Sequence, residues 1–295
     1  MLKTEQISDE FAKISGLSAE LYLYALIDHS GMPGLVTQLT SAGQAWISLF
    51  HGSNEESALS VAPILVALDI QAVTTTGNQL LDWICERSTY SSSLLLLASP
   101  LRREELARRL TARLDAKLPD NVNVMLRYFD TRIFAELMSV LDDSQKTEFL
   151  SPASQWWYVD RRGALQAVAA TFAPQDTFAA PLRLNSIQQN SLIDASEPDQ
   201  IAELLQDAAP NEYDELPYQD RFDFIKRHAQ TADGFGIKTT HEKSFYCALA
   251  LMYGEDFASQ PAWRNGLTEV RAGTLTLQSL AQQIEEKSEE QAYCL

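Results

Sequence analysis

Apolar and polar positions alternate in two different ways along the first 172 residues. Short uninterrupted apolar runs, typical of buried strands, are separated by stretches in which apolar residues recur with helical spacing. The predicted strands are LYLYALI (21–27), AWISLF (45–50), VAPILVALD (61–69) and SLLLLA (93–98). A helix is predicted over 76–88. This alternation predicts a sheet flanked by helices.

The clearest predicted helix follows Ser99. Ser99 is suited to the N-cap, Pro100 to the first helical position, and leucines recur every fourth residue from Leu106 to Leu118. Residues 122–129 then predict a strand, and 131–140 predict a helix.

The segment QWWYVD-RRG-ALQAVAATF predicts two strands joined by a glycine turn, which would form a hairpin at the edge of the sheet. Residues 173–181 carry two prolines among small and polar residues, and the chain beyond them has helical periodicity. The predicted helices are 183–195, 198–208, 217–231, 240–253, 262–271 and 274–288.

These patterns predict an α/β fold. An N-terminal lobe, 1–174, holds a mixed sheet flanked by helices, with its core over 20–160, and an all-helical C-terminal lobe spans 182–295. Within the second lobe, Thr239 and Glu242 have the spacing of a capping box, and Gly254 is placed to end the same helix.

Charge and composition narrow the partners. The net charge of −17 opposes binding to nucleic acid or to an anionic membrane surface. The N-terminal residues lack the apolar region of a secretory signal, and no apolar run approaches the roughly 20 residues of a spanning helix. Three widely spaced cysteines favour a reducing compartment. We therefore expect a cytoplasmic protein.

Motifs for catalysis, metals and nucleotides are missing from the sequence. There is no Gly-x-Ser-x-Gly elbow, no His-Glu-x-x-His or paired Cys-x-x-Cys motif, and no Gly-Lys-Ser/Thr loop. Asp28, His29 and Ser30 are adjacent, and adjacent side chains point in different directions, so they do not form a triad in series. We expect no cofactor, no metal and no catalytic residue.

Two charged segments are candidate partner-binding surfaces. The predicted helix over 101–117 carries six basic residues, including Arg102, Arg103, Arg109 and Arg113, against three acids. It would form either a solvated face with internal salt bridges or a docking patch. Between 194 and 223, ten acids accompany a single basic residue. That segment, with Glu212, Asp214 and Glu215 as candidates, is either a solvated helical region or a surface that attracts a basic partner.

The order of several short motifs resembles the domain of unknown function 4123 family. The matching segments are Tyr24–Asp28, Leu49–Phe50, Ala62–Pro63 with Leu65 and Leu68, Ser99–Leu101, and Leu126–Ile133. The last segment, Leu-Arg-Tyr-Phe-Asp-Thr-Arg-Ile, is similar to the family's Arg-Tyr-Tyr-Asp-Pro-Arg-Val run, with Phe129 and Thr131 in place of a tyrosine and a proline. The resemblance covers about 24–160 and continues more weakly around Leu249–Gly254 and Phe257–Pro261.

The resemblance implies an adaptor or chaperone of bacterial type VI secretion. Such a protein binds a toxic effector in the cytoplasm and helps to load it onto the VgrG spike. The charges of Arg127, Asp130 and Arg132 are retained. They would form an ion-pair cluster where a strand leads into a helix, either fixing that junction or contacting the cargo.

Two other functions agree with the sequence. One is an immunity protein that neutralises a toxin. The other is a small-molecule enzyme whose acid-base site would combine Asp28, His29 and Asp130 at neighbouring strand ends.

Overall fold

The computed structural model describes residues 2–15, 21–69 and 79–293, with side chains described as far as Lys287. Residues 76–78 of one predicted helix, and Cys294, lie outside the described residues. The chain divides into two compact units, Met1–Asp194 and Ala195–Leu295. The confirmed fold class is α/β, with a sheet flanked by helices in the first unit and helices alone in the described part of the second.

The described part of the first unit is organised by a sheet of six strands. They are β1 (Tyr22–Asp28), β2 (Trp46–Ser48), β3 (Pro63–Leu68), β4 (Leu94–Ser99), β7 (Gln155–Val159) and β8 (Leu165–Ala169). Their order in the sheet is β2-β3-β1-β4-β7-β8, and every neighbouring pair is antiparallel. Pro63 begins its strand, as expected of a residue that lacks a backbone N–H. The predicted hairpin is confirmed, and β8 is an edge of the sheet.

Both faces of this sheet are covered, because successive residues of β1 point to opposite sides. Leu23, Ala25 and Ile27 pack in the cluster that contains residues of three helices: α1 (Thr4–Ser15), α2 (Leu35–Ser41) and α3 (Gln79–Ser88). Tyr24 and Leu26 pack on the other side in the cluster that contains residues of α4 (Arg103–Ala112), α5 (Thr131–Val140) and α6 (Asp143–Leu150). Burial on both faces explains why the strands are continuous apolar runs.

A second, small sheet has the order β6-β5-β9 and contains a parallel pair. Its strands are β5 (Asp115–Lys117), β6 (Asn123–Met125) and β9 (Leu182–Arg183). The strand predicted over 122–129 is therefore only three residues long and is not in the main sheet. Leu126, Tyr128 and Phe129 are instead buried in the loop before α5.

The start of α4 differs from the prediction. The helix begins at Arg103, with Arg102 at its N-cap, and it ends at Ala112. Ser99 is the last residue of β4, and its Oγ donates to the Pro152 carbonyl at 2.6 Å and accepts from the N–H of Leu101. Its hydrogen bonds thus tie the strand end to a neighbouring loop instead of capping a helix.

The described helices of the second unit are close to the predicted ones. They are the last part of α7 (Ser186–Ala208), α8 (Pro210–Glu215), α9 (Tyr218–Gly234), α10 (Thr240–Tyr253), α11 (Pro261–Arg271) and α12 (Leu277–Tyr293). The helices predicted over 183–195 and 198–208 form one continuous helix, α7, which contains Pro198. The short helix α8 was not predicted. Thr239 caps α10 by accepting from Glu242 N–H, and Gly254 ends it with a φ of 92°.

Candidate functional site

Asp28 and Arg127 come from two of the segments that carry the family resemblance, and they are in contact. Nη2 of Arg127 lies 3.0 Å from Oδ2 of Asp28. The carboxylate is buried at the end of β1, and its other oxygen accepts from the N–H and Oγ of Ser30. The Arg127 side chain is half exposed, and its guanidinium lies 5.6 Å from the ring centroid of Phe129.

Asp130 is the N-cap of α5. Its Oδ1 accepts from the N–H of Arg132 at 3.0 Å, which satisfies one of the free donors of the first turn. The same carboxylate pairs with the Arg132 guanidinium at 2.7 Å. The predicted cluster is thus two ion pairs, Arg127 with Asp28 and Arg132 with Asp130.

The backbone brings these two pairs to one corner of the first unit, which we call the β1–α5 corner (Asp28, His29, Arg127, Asp130–Arg132). Ser92 and Ser93 lie between them: the Ser93 carbonyl accepts from Asp28 N–H, and the Ser92 carbonyl accepts from Thr131 N–H. Arg127 also accepts from Asp130 N–H through its carbonyl. Asp28 and Asp130 are therefore near each other, as the acid-base hypothesis requires, but each carboxylate already holds an arginine.

Two buried polar atoms of the corner, Nδ1 of His29 and Oγ1 of Thr131, have no hydrogen-bond partner among the described residues. Unsatisfied groups of this kind are uncommon in folded proteins. The sequence pointed to His29 as part of a possible acid-base site, but not to Thr131, and a buried unpaired atom leaves no signal in a sequence.

Two tyrosines of the matching motifs hold the two ends of α4. The hydroxyl of Tyr24 donates to the Leu101 carbonyl at 2.7 Å, just before the helix, and that of Tyr128 donates to the Leu110 carbonyl at 2.9 Å, in its last turn. Burial raises the pKa of Tyr24 to about 12. Burial also raises the pKa of Tyr128. Both hydroxyls therefore stay protonated as donors at neutral pH.

The arginines of α4 and its C-cap are not all on one exposed face. Arg113 is fully buried: its guanidinium donates to the carbonyls of Phe149, Glu148 and Arg109 and pairs with Asp176 at 2.9 Å. Burial tends to raise the pKa of Asp176, but the hydrogen bond and charge of Arg113 outweigh it and hold that pKa below its ordinary value.

Arg109 is also buried, and its Nη1 donates to the Ala173 carbonyl at 2.7 Å. Arg109 and Arg113 thus attach the segment 173–176 to the helix, and neither offers its guanidinium to a partner in this structure. Each lies three residues after a core leucine, Leu106 or Leu110, so helical spacing already indicated the buried side of the helix.

The remaining arginines of this segment are closer to solvent. Arg102 is exposed, Arg103 pairs with Glu104, and Arg108 pairs with Glu105. These pairs correspond to one of the two interpretations of this segment, a solvated face with internal salt bridges.

The contacts described so far lie within or close to a segment of the chain that matches a protein family. Residues 23–148 match the family model described as Domain of unknown function (DUF4123). No curated protein and no solved structure matches the chain. The DUF4123 match supports the family resemblance over most of the first unit. It includes both ion pairs of the β1–α5 corner and the whole of α4.

The acidic candidates lie outside the DUF4123 match, on α8. Asp214 pairs with Arg221 at 3.2 Å, Glu215 is exposed, and Glu212 is partly buried. The Arg221 guanidinium lies 4.4 Å from the ring centroid of Tyr213 and 4.0 Å from that of Tyr218. The one basic residue of the acidic segment is thus held between two aromatic rings, where cation–π attraction stabilises it.

Lys243 neutralises another part of the acidic segment. Its ammonium group is largely buried and pairs with Glu197 at 2.7 Å and with Asp233 at 3.2 Å. Burial tends to lower the pKa of Lys243, but its hydrogen bonds to the two carboxylates outweigh this and raise it.

The described residues contain neither a candidate metal position nor a candidate membrane-spanning helix. Three or more His, Cys, Asp or Glu side chains do not converge on a possible metal position anywhere in those residues. None of the helices described is both long and apolar enough to cross a membrane.

Proposed function

We propose that this protein is a non-enzymatic adaptor that binds a type VI secretion effector in the cytoplasm and helps to load it onto the VgrG spike. The observation that carries the proposal is the DUF4123 match over 23–148, together with the ordered motifs at Tyr24–Asp28 and Leu126–Ile133.

The roles of the motif residues are compatible with this proposal. Tyr24, Asp28, Tyr128 and Asp130 each hold a carbonyl, an arginine or a helix terminus of the chain itself. Motifs of this kind preserve a scaffold, and a scaffold leaves specificity for cargo to other surfaces.

Exposed acids of the second unit are one such surface. Glu203, Asp207, Glu215 and Asp220 are exposed, and the chain as a whole carries −17. A cargo with a basic patch would be attracted to them, and encounter would slow as salt screens the charges. We expect the double reversal Glu215→Lys with Asp220→Lys to slow cargo association several-fold. Glu86→Lys, which reverses an exposed acid of α3 in the first unit, serves as the control.

Affinity purification from the native host, followed by quantitative mass spectrometry, tests the proposal. The tagged protein should enrich one effector, with VgrG as a possible second partner. Recovery of no secretion component from cells that express the secretion system would refute the adaptor role.

Gene deletion distinguishes the adaptor from an immunity protein. Loss of an adaptor stops delivery of the toxin and leaves the producing cells healthy. If the deletion strain is instead poisoned by its siblings, the immunity function is correct.

A further inference from the structure

The edge strand β8 is paired on one side. Among the described residues its backbone hydrogen-bonds with β7 alone, so within that part of the chain the groups on its other side are unpaired. Asp160 donates to the Ala164 carbonyl at the start of this hairpin, so hydrogen-bonded and non-hydrogen-bonded pairs alternate from there. In this register the backbone N–H and C=O groups of Gln166 and Val168 point towards β7. Those of Leu165, Ala167 and Ala169 point away from it, out of the sheet edge.

Nothing in the strand's own sequence protects this edge. Exposed strand edges are usually blunted by a charge, a proline or a bulge, because an open edge invites pairing with another chain. β8 reads Leu-Gln-Ala-Val-Ala, and Ala167 and Ala169 are exposed. The other edge of the sheet, β2, is only three residues long.

An open groove lies beside β8 on each face of the sheet. The larger, of about 900 Å³, has α1 as one wall and Trp157, Leu165 and Ala167 on the sheet side. The smaller, of about 360 Å³, lies between β8 and residues of α5 and α6, with Met138 and Leu150 in its lining. A strand added to β8 would direct alternate side chains towards these two grooves.

The lining of the larger groove indicates the chemistry of the occupant. Trp157 is buried, and its indole N–H has no acceptor among the described residues. On the α1 wall, Asp9 is exposed and has no ion pair among those residues, while Glu10 pairs with Lys13. A basic or amide side chain entering this groove would meet the exposed Asp9 carboxylate, in a lining that also includes the basic Arg162. The smaller groove suits short apolar side chains.

We propose that the β8 edge binds an extended segment of the cargo protein by β-strand addition, with basic or amide side chains in the larger groove and small apolar side chains in the smaller one. The identification of the added strand as part of the cargo rests on the adaptor function proposed above. A second copy of this chain is disfavoured as occupant, because two chains of −17 repel each other.

Hydrogen–deuterium exchange on the purified complex tests the edge directly. In the free protein the outward amides of Leu165, Ala167 and Ala169 should exchange fast. Cargo should slow exchange of the peptide that contains them by at least about tenfold, because each amide gains a backbone acceptor. The peptide that contains β2, the other edge, should be unchanged.

Two substitutions test the same edge by affinity. Ala167→Pro removes one outward N–H without breaking a bond to β7, so cargo affinity should fall at least about tenfold. Ala167→Ser keeps that N–H and serves as the matched control, expected within about twofold of the wild type. Asp9→Lys, on the exposed side of α1, should weaken binding even if Ala167→Pro proves unfolded by circular dichroism.

The outcomes are distinguishable. Cargo that binds all variants equally and leaves the β8 peptide unprotected overturns strand addition but leaves the adaptor function intact. Failure of the wild-type protein to retrieve any cargo overturns both proposals. Protection of the β8 peptide without cargo, together with a dimer in analytical ultracentrifugation, identifies a second copy of this chain as the occupant. That result overturns the proposal that the edge binds cargo.

Discussion

The guanidinium of Arg127 donates a 3.0 Å hydrogen bond to the Asp28 carboxylate, which lies 99 residues earlier in the chain. Two of the segments that carry the family resemblance, Tyr24–Asp28 and Leu126–Ile133, therefore meet at one corner of the first unit. Asp28 and Arg127 share a structural task, since neither residue can keep this contact without the other.

Substitutions of this pair should have unequal effects. Asp28→Ala removes an acceptor from Arg127 and two hydrogen bonds from Ser30, so the free energy of unfolding should fall by about 2–3 kcal/mol. Arg127→Ala should cost only about 1 kcal/mol, because the arginine is half exposed. Urea denaturation of both variants and of the double variant measures the coupling. Arg108→Ala, on an exposed pair, is the control; a cost for Arg127→Ala no larger than the control's contradicts the assigned contact.

The two contributions of Asp130 to stability, as the N-cap of α5 and as the ion-pair partner of Arg132, should be separable by substitution. Asp130→Asn keeps an oxygen for the N–H of Arg132 and should lose less stability than Asp130→Ala, which should cost about 1–2 kcal/mol. Thermal unfolding followed by circular dichroism measures both. Equal losses for the two variants would show that the cap contributes little.

Arg113 should be the most sensitive position of those named in α4 and its C-cap. Arg113→Met removes the guanidinium that pairs with Asp176 and donates to the carbonyls of Phe149 and Arg109, so the free energy of unfolding should fall by about 3–5 kcal/mol. Arg108→Met changes an exposed arginine of α4 in the same way and should cost under about 1 kcal/mol. Limited proteolysis should cut the segment 173–178 faster in the first variant only. Wild-type stability of Arg113→Met would contradict its assigned role.

His228 should make the second unit sensitive to acid. Burial lowers its pKa below the ordinary 6.5, although Glu255 at 3.5 Å opposes this. The folded state therefore favours the neutral ring. Its contribution to stability is present above pH 6.5 and is lost as pH falls through the lowered pKa of the folded state.

Melting temperatures measured as the pH is lowered test whether His228 causes this acid sensitivity. His228→Phe, which fills the space between Phe224 and Tyr246 with an apolar ring, should flatten the dependence on pH between about 5 and 7. Asn185→Ala, a change in the first unit, should leave the slope unchanged. A slope that survives His228→Phe assigns the acid sensitivity to other groups.

Local patterns were enough for most secondary structure. The buried strands are continuous apolar runs, and helices such as α5 and α10 have clear caps and periodicity, so their positions follow from the sequence. The start of α4 was misplaced because Ser99 can cap a helix or bind a distant carbonyl with the same hydroxyl. The carbonyl of Pro152 decided between them, and its proximity comes from the fold.

The candidate sites show the same division. Charge counts identified Arg109 and Arg113 but could not tell a docking patch from a buried clamp, because the acceptors at Ala173 and Asp176 lie more than sixty positions away. The ion cluster was predicted as one trio, whereas the partner of Arg127 is Asp28, at the end of β1. The sequence predicted a hairpin at the edge of the sheet, but no pattern in it indicated a groove on each side of β8.

The sequence by itself determined the fold class, the acidity and the family resemblance, because each depends on residues close together in the chain or on composition. Only the tertiary structure decided which charges are buried, which residues pair and which strand stays open. Those properties depend on contacts between distant segments, and the energy of a buried charge or an unpaired edge is set by its surroundings, which a linear pattern does not contain.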